Sequence, residues 1–176
     1  MFGSNFMRPA AGLFAFAVIM MSMMPGADSP TAGHWRTMQR QAKHFFHEEL
    51  SWSQMDSNNS QWVVLNAKGD TLSYASFRAV SACLFGGCNK SKTSCESDTR
   101  REMIYYYALQ SPTDGRIQLL RVLEYESNYG FEITSRGWLR QFLGLQPGEA
   151  KVGHTIDGLS GATVSVEALV EDVNAL

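Results

Sequence analysis

Two pairs of β-rich runs, each pair joined by a short turn-forming segment, set the architecture. Trp62-Val63-Val64-Leu65 leads through Asn66-Ala67-Lys68-Gly69-Asp70 into a run from Thr71 through Val80. Glu102 to Leu109 leads through Ser111-Pro112-Thr113-Asp114-Gly115 into Ile117 to Tyr125. Runs of β-branched and aromatic residues bounded by Gly, Asn, Asp and Pro read as strands and hairpin turns. Strands joined by tight turns run antiparallel, so the pattern predicts an antiparallel sheet. Val122, Leu123 and the tyrosines at 105 to 107 supply its β propensity and core bulk.

Helices flank this sheet on periodicity alone. Between Thr31 and Trp52 the residues Trp35, Met38, Ala42, Phe45 and Phe46 fall near helical spacing, which predicts a helix packed on the sheet. Near the other end Val166, Leu169, Val170 and Val173 fall at i, i+3, i+4 and i+7, one apolar stripe of an α-helix. The expected fold class is therefore α+β. Ser57-Asn58-Asn59-Ser60 reads as a turn-like linker between the first helix and the sheet. His44 and His47 share a helix face at i, i+3, a spacing open to metal, but histidines on a polar face are ordinarily solvated and neither is assigned a function.

A chain of 176 residues suits a single domain. The division expected is 1–27 as a signal peptide or membrane anchor, 28–60 as an N-terminal helix and linker, and 61–176 as the functional domain. Arg8 precedes an uncharged, mainly apolar run from Ala10 to Met24, followed by Pro25 and Gly26. Its length is nearer a secretory core than a full span, which needs about 20 apolar residues. Counting from Pro9 to Ala27 approaches that limit, so a cleaved signal peptide and an uncleaved anchor both stay open. Either places the body outside the cytoplasm, periplasmic or membrane-anchored.

Charge and cysteine usage narrow the partners. The 15 Lys+Arg stand against 17 Asp+Glu, a formal charge of −2 with no dense basic run, so nucleic acid is not an expected partner. Cys83, Cys88 and Cys95 lie in one Gly/Ser/Lys-rich stretch. In an oxidising compartment one pair staples this loop and one thiol is left over, with three pairings open. Zinc is the weaker reading, because paired CxxC motifs and a neighbouring His are lacking.

The chemistry concentrates where Asp157-Gly158-Leu159-Ser160-Gly161-Ala162-Thr163 runs into the C-terminal helix. A helix start gathers unpaired N–H groups and the positive end of the dipole, so a phosphate is stabilised there without a lysine or arginine. Gly161 and Ala162 leave the approach to Thr163 open. Ser160 and Thr163 are also ordinary N-cap residues, and the plain alternative is a loop that only caps the helix. A Ser160, His154 and Asp157 set can be composed on paper, but closeness in sequence says nothing about triad geometry.

A second patch lies upstream. Glu126-Ser127-Asn128-Tyr129-Gly130-Phe131 feeds Thr134 to Phe142, where Trp138 and Phe142 at i, i+4 form a hydrophobic pair seating a short helix.

Together these segments resemble the FMN-binding domain family, which includes the small flavin subunits of sodium-pumping NADH:quinone reductases and related electron-transport complexes. The order Asp157, two residues, Ser160, Gly161, Ala162, Thr163 is similar to its flavinylation signature. The loop from Glu126 and the helix bearing Trp138 are similar to its Glu-Thr-Pro-Gly-like loop and Trp-containing helix, with Ser127-Asn128-Tyr129-Gly130 in place of the commoner Thr-Pro-Gly run. The resemblance spans roughly 65–173 and is strongest from Val122 onward.

It implies an FMN-binding domain-like fold with FMN held covalently on Thr163 through a phosphoester. A flavin transferase would attach it from FAD, reading a motif that includes Asp157. Ser160, Gly161 and Ala162 would line the attachment site, and Glu126, Tyr129, Gly130 and Trp138 would lie against the ring. The implied function is extracytoplasmic electron transfer between a membrane-linked donor and a redox partner. The rival is a flavin-free, disulfide-stapled structural or binding domain.

Overall fold

A computed structural model describes residues 29–56, 60–83 and 101–176. The expectations on the apolar start and on Cys88 and Cys95 fall outside these residues, and Cys83 is described only as the last residue of a strand. No helix among the described residues is long and apolar enough to cross a membrane.

The order of elements is α1 (Ala32–Phe46), β1 (Ser51–Gln54), β2 (Gln61–Leu65), β3 (Thr71–Cys83), β4 (Arg101–Gln110), β5 (Ile117–Glu126), a 3-10 turn (Phe131–Thr134), α2 (Arg136–Leu139), a second 3-10 turn (Arg140–Phe142) and α3 (Thr163–Val173). The strands form one sheet in sequence order, and every neighbouring pair is antiparallel. The α+β class and the antiparallel sheet are as the sequence pattern predicts.

Both faces of the sheet are covered. On one face Met38 and Ala42 of α1 pack with Trp62, Val64, Ala75, Phe77, Tyr107, Leu109 and Leu119. On the other, Val166, Leu169, Val170 and Val173 of α3 pack with Val80, Ile104, Tyr106, Ala108 and Leu120. Each fully buried Val, Leu, Ile, Phe or Met side chain stabilises the fold by about 1.5–3 kcal/mol relative to exposure.

Double coverage explains why β4 carries consecutive tyrosines. Tyr106 and Tyr107 point to opposite faces and both are fully buried. Their hydroxyls need partners there. That of Tyr106 donates to Asp172 Oδ2 at 2.7 Å and that of Tyr107 to Gln41 Oε1 at 2.9 Å.

The first correction concerns residues 47–54, expected to continue the helix through Trp52. The helix ends at Phe46, because His47 adopts φ 59° and its N–H bonds to the Lys43 carbonyl. A left-handed C-terminal residue is usually Gly or Asn, so His47 gave no stop signal. Trp52 lies instead in edge strand β1 and meets Trp35 edge-on at 5.1 Å.

The second correction is the short helix expected over residues 134–142. It is broken into two 3-10 turns around a single turn of α-helix. Ser135, with ψ 137°, interrupts the path, and its hydroxyl caps α2 by accepting from the Trp138 N–H at 3.3 Å.

The β4–β5 pair shifts register twice, and the shift nearer the site changes which residues face α3. The partners Tyr105↔Glu124 and Tyr106↔Val122 leave Leu123 unpaired, a bulge. A bulged residue re-aims the side chains beyond it. Val122 and Tyr125 consequently both pack toward α3, although three positions apart on a strand.

Candidate functional site

The site is built where α3 begins. Ala162 is the N-cap residue, with φ −132° and ψ 21°, and no side chain caps the helix. This corrects the expectation of a Ser160 or Thr163 cap: Ser160 lies in the preceding turn and Thr163 is the first helical residue. Both are exposed, and neither hydroxyl hydrogen-bonds within the described residues. The first N–H groups of α3 thus stay available to an anion, which a helix start stabilises by about 0.3–1 kcal/mol at an exposed site.

Gly161 shapes the approach by conformation. Its φ is 81°, and a Cβ on it would meet nothing within 4 Å. Ala162 is packed beneath it in the core, with its N–H bonded to the Leu159 carbonyl at 3.1 Å.

The glycine-bearing loop after β5 lies directly against this turn. Gly130 has φ 68°, and a Cβ there would sit 2.3 Å from Ala162 Cβ and 3.1 Å from Gly161 O. The two sequence patches, 32 residues apart between Gly130 and Ala162, are therefore in van der Waals contact.

Asp157 is held by its backbone. The Trp138 indole Nε1–H donates to the Asp157 carbonyl at 2.9 Å, and the Asp157 N–H donates to Gln141 Oε1 at 2.8 Å. Its carboxylate is left exposed. Trp138 itself is buried, edge-on to Phe142 at 5.5 Å, so it braces the motif from within the core. Tyr129 is 72% exposed and Phe131 is 56% exposed, which makes them the apolar surface at the loop.

Glu126 does not join this group. Its neighbour Tyr125 packs toward α3, so Glu126 faces the α1 side. There burial, followed by the charges of Glu126 and Glu124, raises the pKa of the Tyr105 hydroxyl.

Sequence reasoning missed the polar group behind the site. Glu102 is buried on β4, and its carboxylate accepts from the hydroxyls of Ser127, Tyr125 (2.9 Å) and Ser165. Ser165 is fully buried on α3, two residues beyond Thr163, with its Oγ 3.1 Å from the Tyr125 hydroxyl. Burial first, opposed by hydrogen bonds from Ser127 and Ser165 and reinforced by Glu102, raises the Tyr125 pKa. The available signal was alternation: Glu102, Ile104, Tyr106 and Ala108 occupy one buried face, and an acid in that series needs partners.

Other candidates do not assemble. His154, Asp157 and Ser160 are exposed, and no hydrogen bond joins their side chains, so a hydrolytic triad is not formed. The rings of His44 and His47 lie 5.7 Å apart beside an open cavity of about 560 Å³ lined by Arg40, Lys43, Glu48 and Glu49 as well. No group of three or more side chains able to hold a metal ion occurs among the described residues. No protein-family model, curated protein or solved structure matches the chain.

Proposed function

We propose that the chain is an extracytoplasmic flavoprotein that carries FMN on Thr163 through a phosphoester and passes electrons between a membrane-linked donor and a redox partner. The observation that carries this reading is the contact of Gly130 with Gly161 and Ala162. It joins the two segments that resemble the FMN-binding domain family, beside an exposed threonine at an uncapped helix start.

The residues present suit the group. Thr163 offers an exposed hydroxyl for the ester, and the N–H groups of the first turn of α3 stabilise the phosphate charge. Gly161 leaves room above the turn, while Tyr129 and Phe131 offer apolar surface to the ring. Asp157, gripped by its backbone, presents its carboxylate outward to a flavin transferase that uses FAD as donor. The bound flavin supplies the redox chemistry, accepting one or two electrons. Tethering keeps it at its site outside the cytoplasm, where a free cofactor is diluted away.

The test is flavin fluorescence in a denaturing gel together with intact mass. The protein is co-expressed with a flavin transferase in a secreting host, wild type beside Thr163→Val. The expected result is a fluorescent wild-type band heavier by one FMN less water, and an unlabelled variant. Because Thr163 is exposed and its hydroxyl makes no hydrogen bond among the described residues, the variant should differ in stability by less than about 0.5 kcal/mol. An unlabelled wild type, with the transferase active on a control protein, overturns the reading and favours a flavin-free binding or structural domain.

A further inference from the structure

The buried carboxylate of Glu102 on β4 joins the stretch from the end of β5 into the following loop to α3, which is distant from it in sequence. Ser127 belongs to the glycine-bearing loop, Tyr125 to the end of β5 and Ser165 to the first turn of α3, and all three hydroxyls donate to it. An apolar residue would serve a purely space-filling role here, as Ile104 and Ala108 do along the same face. A carboxylate is costly to bury without polar partners, and this one is 6% exposed. Its compensation is three hydroxyl donors, and hydroxyl-to-carboxylate bonds are roughly twice as strong as neutral ones.

The order propagates to the surface. Ser127 Oγ accepts the Tyr129 N–H at 3.1 Å, which fixes the backbone of the exposed Tyr129. The Tyr125 ring meets the exposed Phe131 edge-on at 6.1 Å. Through Ser165 the same carboxylate holds the turn of α3 that begins at Thr163.

We infer that Glu102 is the positioning residue of the site: accepting from Ser127, Tyr125 and Ser165 at once, it ties the glycine-bearing loop to the first turn of α3. It thereby sets the spacing between Thr163 and the aromatic surface of Tyr129 and Phe131. The role as a cofactor-positioning group rests on the FMN reading; the coupling of loop to helix rests on the hydrogen bonds alone.

Two arms separate these claims. The first is amide hydrogen exchange of the full chain without flavin, wild type beside Glu102→Gln and Ser165→Ala. Glu102→Gln should speed exchange in both 127–131 and 163–166 by about tenfold to a hundredfold, the loss of a hydrogen-bond set to a charged group, with α1 and β2 unchanged. Ser165→Ala should speed exchange in 127–131 as well, although Ser165 bonds to no residue of that loop; it also decides the question should Glu102→Gln fail to fold. Acceleration confined to one segment, or spread evenly over the protein, overturns the coupling.

The second arm uses flavinylated protein. Glu102→Gln should raise the flavin midpoint potential, because a negative charge that opposes reduction is removed, and should alter the visible circular dichroism of the flavin. Ser165→Ala, which keeps the carboxylate, should alter the dichroism and leave the potential in place. A Glu102→Gln protein that melts lower yet keeps the wild-type potential and dichroism reduces Glu102 to a structural role. A wild type without flavin defeats the functional proposal, while the exchange arm still decides the coupling.

Discussion

Gly130 and Ala162 approach so closely that a Cβ on the first would stand 2.3 Å from the Cβ of the second. Gly130 also holds φ 68°, so its identity is required both by conformation and by space. Ala162 cannot yield easily, since it is 3% exposed and backed by the core beneath α3. This contact closes the site on one side.

Gly130→Ala should therefore lower stability by about 2–4 kcal/mol, combining the left-handed penalty with an overpacked contact. Denaturant midpoints of the two proteins check it. A midpoint equal to that of wild type would mean that the loop slides off the turn at no cost, and the closed geometry would lose its significance.

How far the sequence discloses this arrangement differs by element. β2 to β5 were legible because their turns are local: Asn66 accepts from the N–H groups of Lys68 and Asp70, a side-chain device written into the residues themselves. The stripe of α3 was legible for the same reason. The end of α1 was not, because His47 takes a conformation that its residue type does not advertise. Ser165 and Glu102 were hidden for another reason. Each looks like an isolated polar residue until the Leu123 bulge turns Tyr125 toward α3, and a bulge is a property of the strand pair. The pairing of the Gly130 and Gly161 segments was expected from resemblance; their physical contact depends on tertiary packing alone.

Asp157→Ala should separate folding from labelling. The bonds that hold this position use its carbonyl and N–H, which alanine retains, so the midpoint should stay within about 0.5 kcal/mol of wild type. On the proposed FMN reading, labelling of Thr163 by a flavin transferase should fall markedly, as followed by gel fluorescence over time. Labelling at the wild-type rate would remove Asp157 from the proposed recognition motif.

Alkaline stability should depend on Tyr106. Burial, followed by the charge and hydrogen bond of Asp172, raises its pKa well above the ordinary tyrosine value, against the opposing influence of Arg78. The folded state then holds the phenolic proton more tightly than the unfolded one. The stabilisation is complete below a pH of about 10, the unfolded value, and is lost as pH rises through it toward the folded value. Tyr106→Phe should be less stable than wild type near neutrality, having lost a hydrogen bond to a carboxylate worth about 1.5–3 kcal/mol. It should also show a shallower decline above that pH, with Tyr107 and Tyr125, whose pKa values are raised as well, keeping the slope from vanishing. Denaturant midpoints from neutral to alkaline pH read both effects, and parallel curves for the two proteins would contradict the assignment.

Trp138→Phe tests whether the core holds the motif in place. Phenylalanine keeps an aromatic ring against Phe142 but lacks the indole N–H, leaving the Asp157 carbonyl without its 2.9 Å donor. Lost volume and a lost hydrogen bond should together cost about 2–4 kcal/mol. The local consequence is more informative than the global one. Among the described residues Asp157 is then secured only through Gln141, so hydrogen exchange should accelerate at 157–161 more than in the β2–β3 pair, and on the proposed FMN reading the labelling of Thr163 should slow in parallel. Uniform acceleration with unchanged labelling would show that Trp138 serves the core alone. Preferential loosening of 157–161 with slower labelling would establish that the indole orders the segment leading to Thr163.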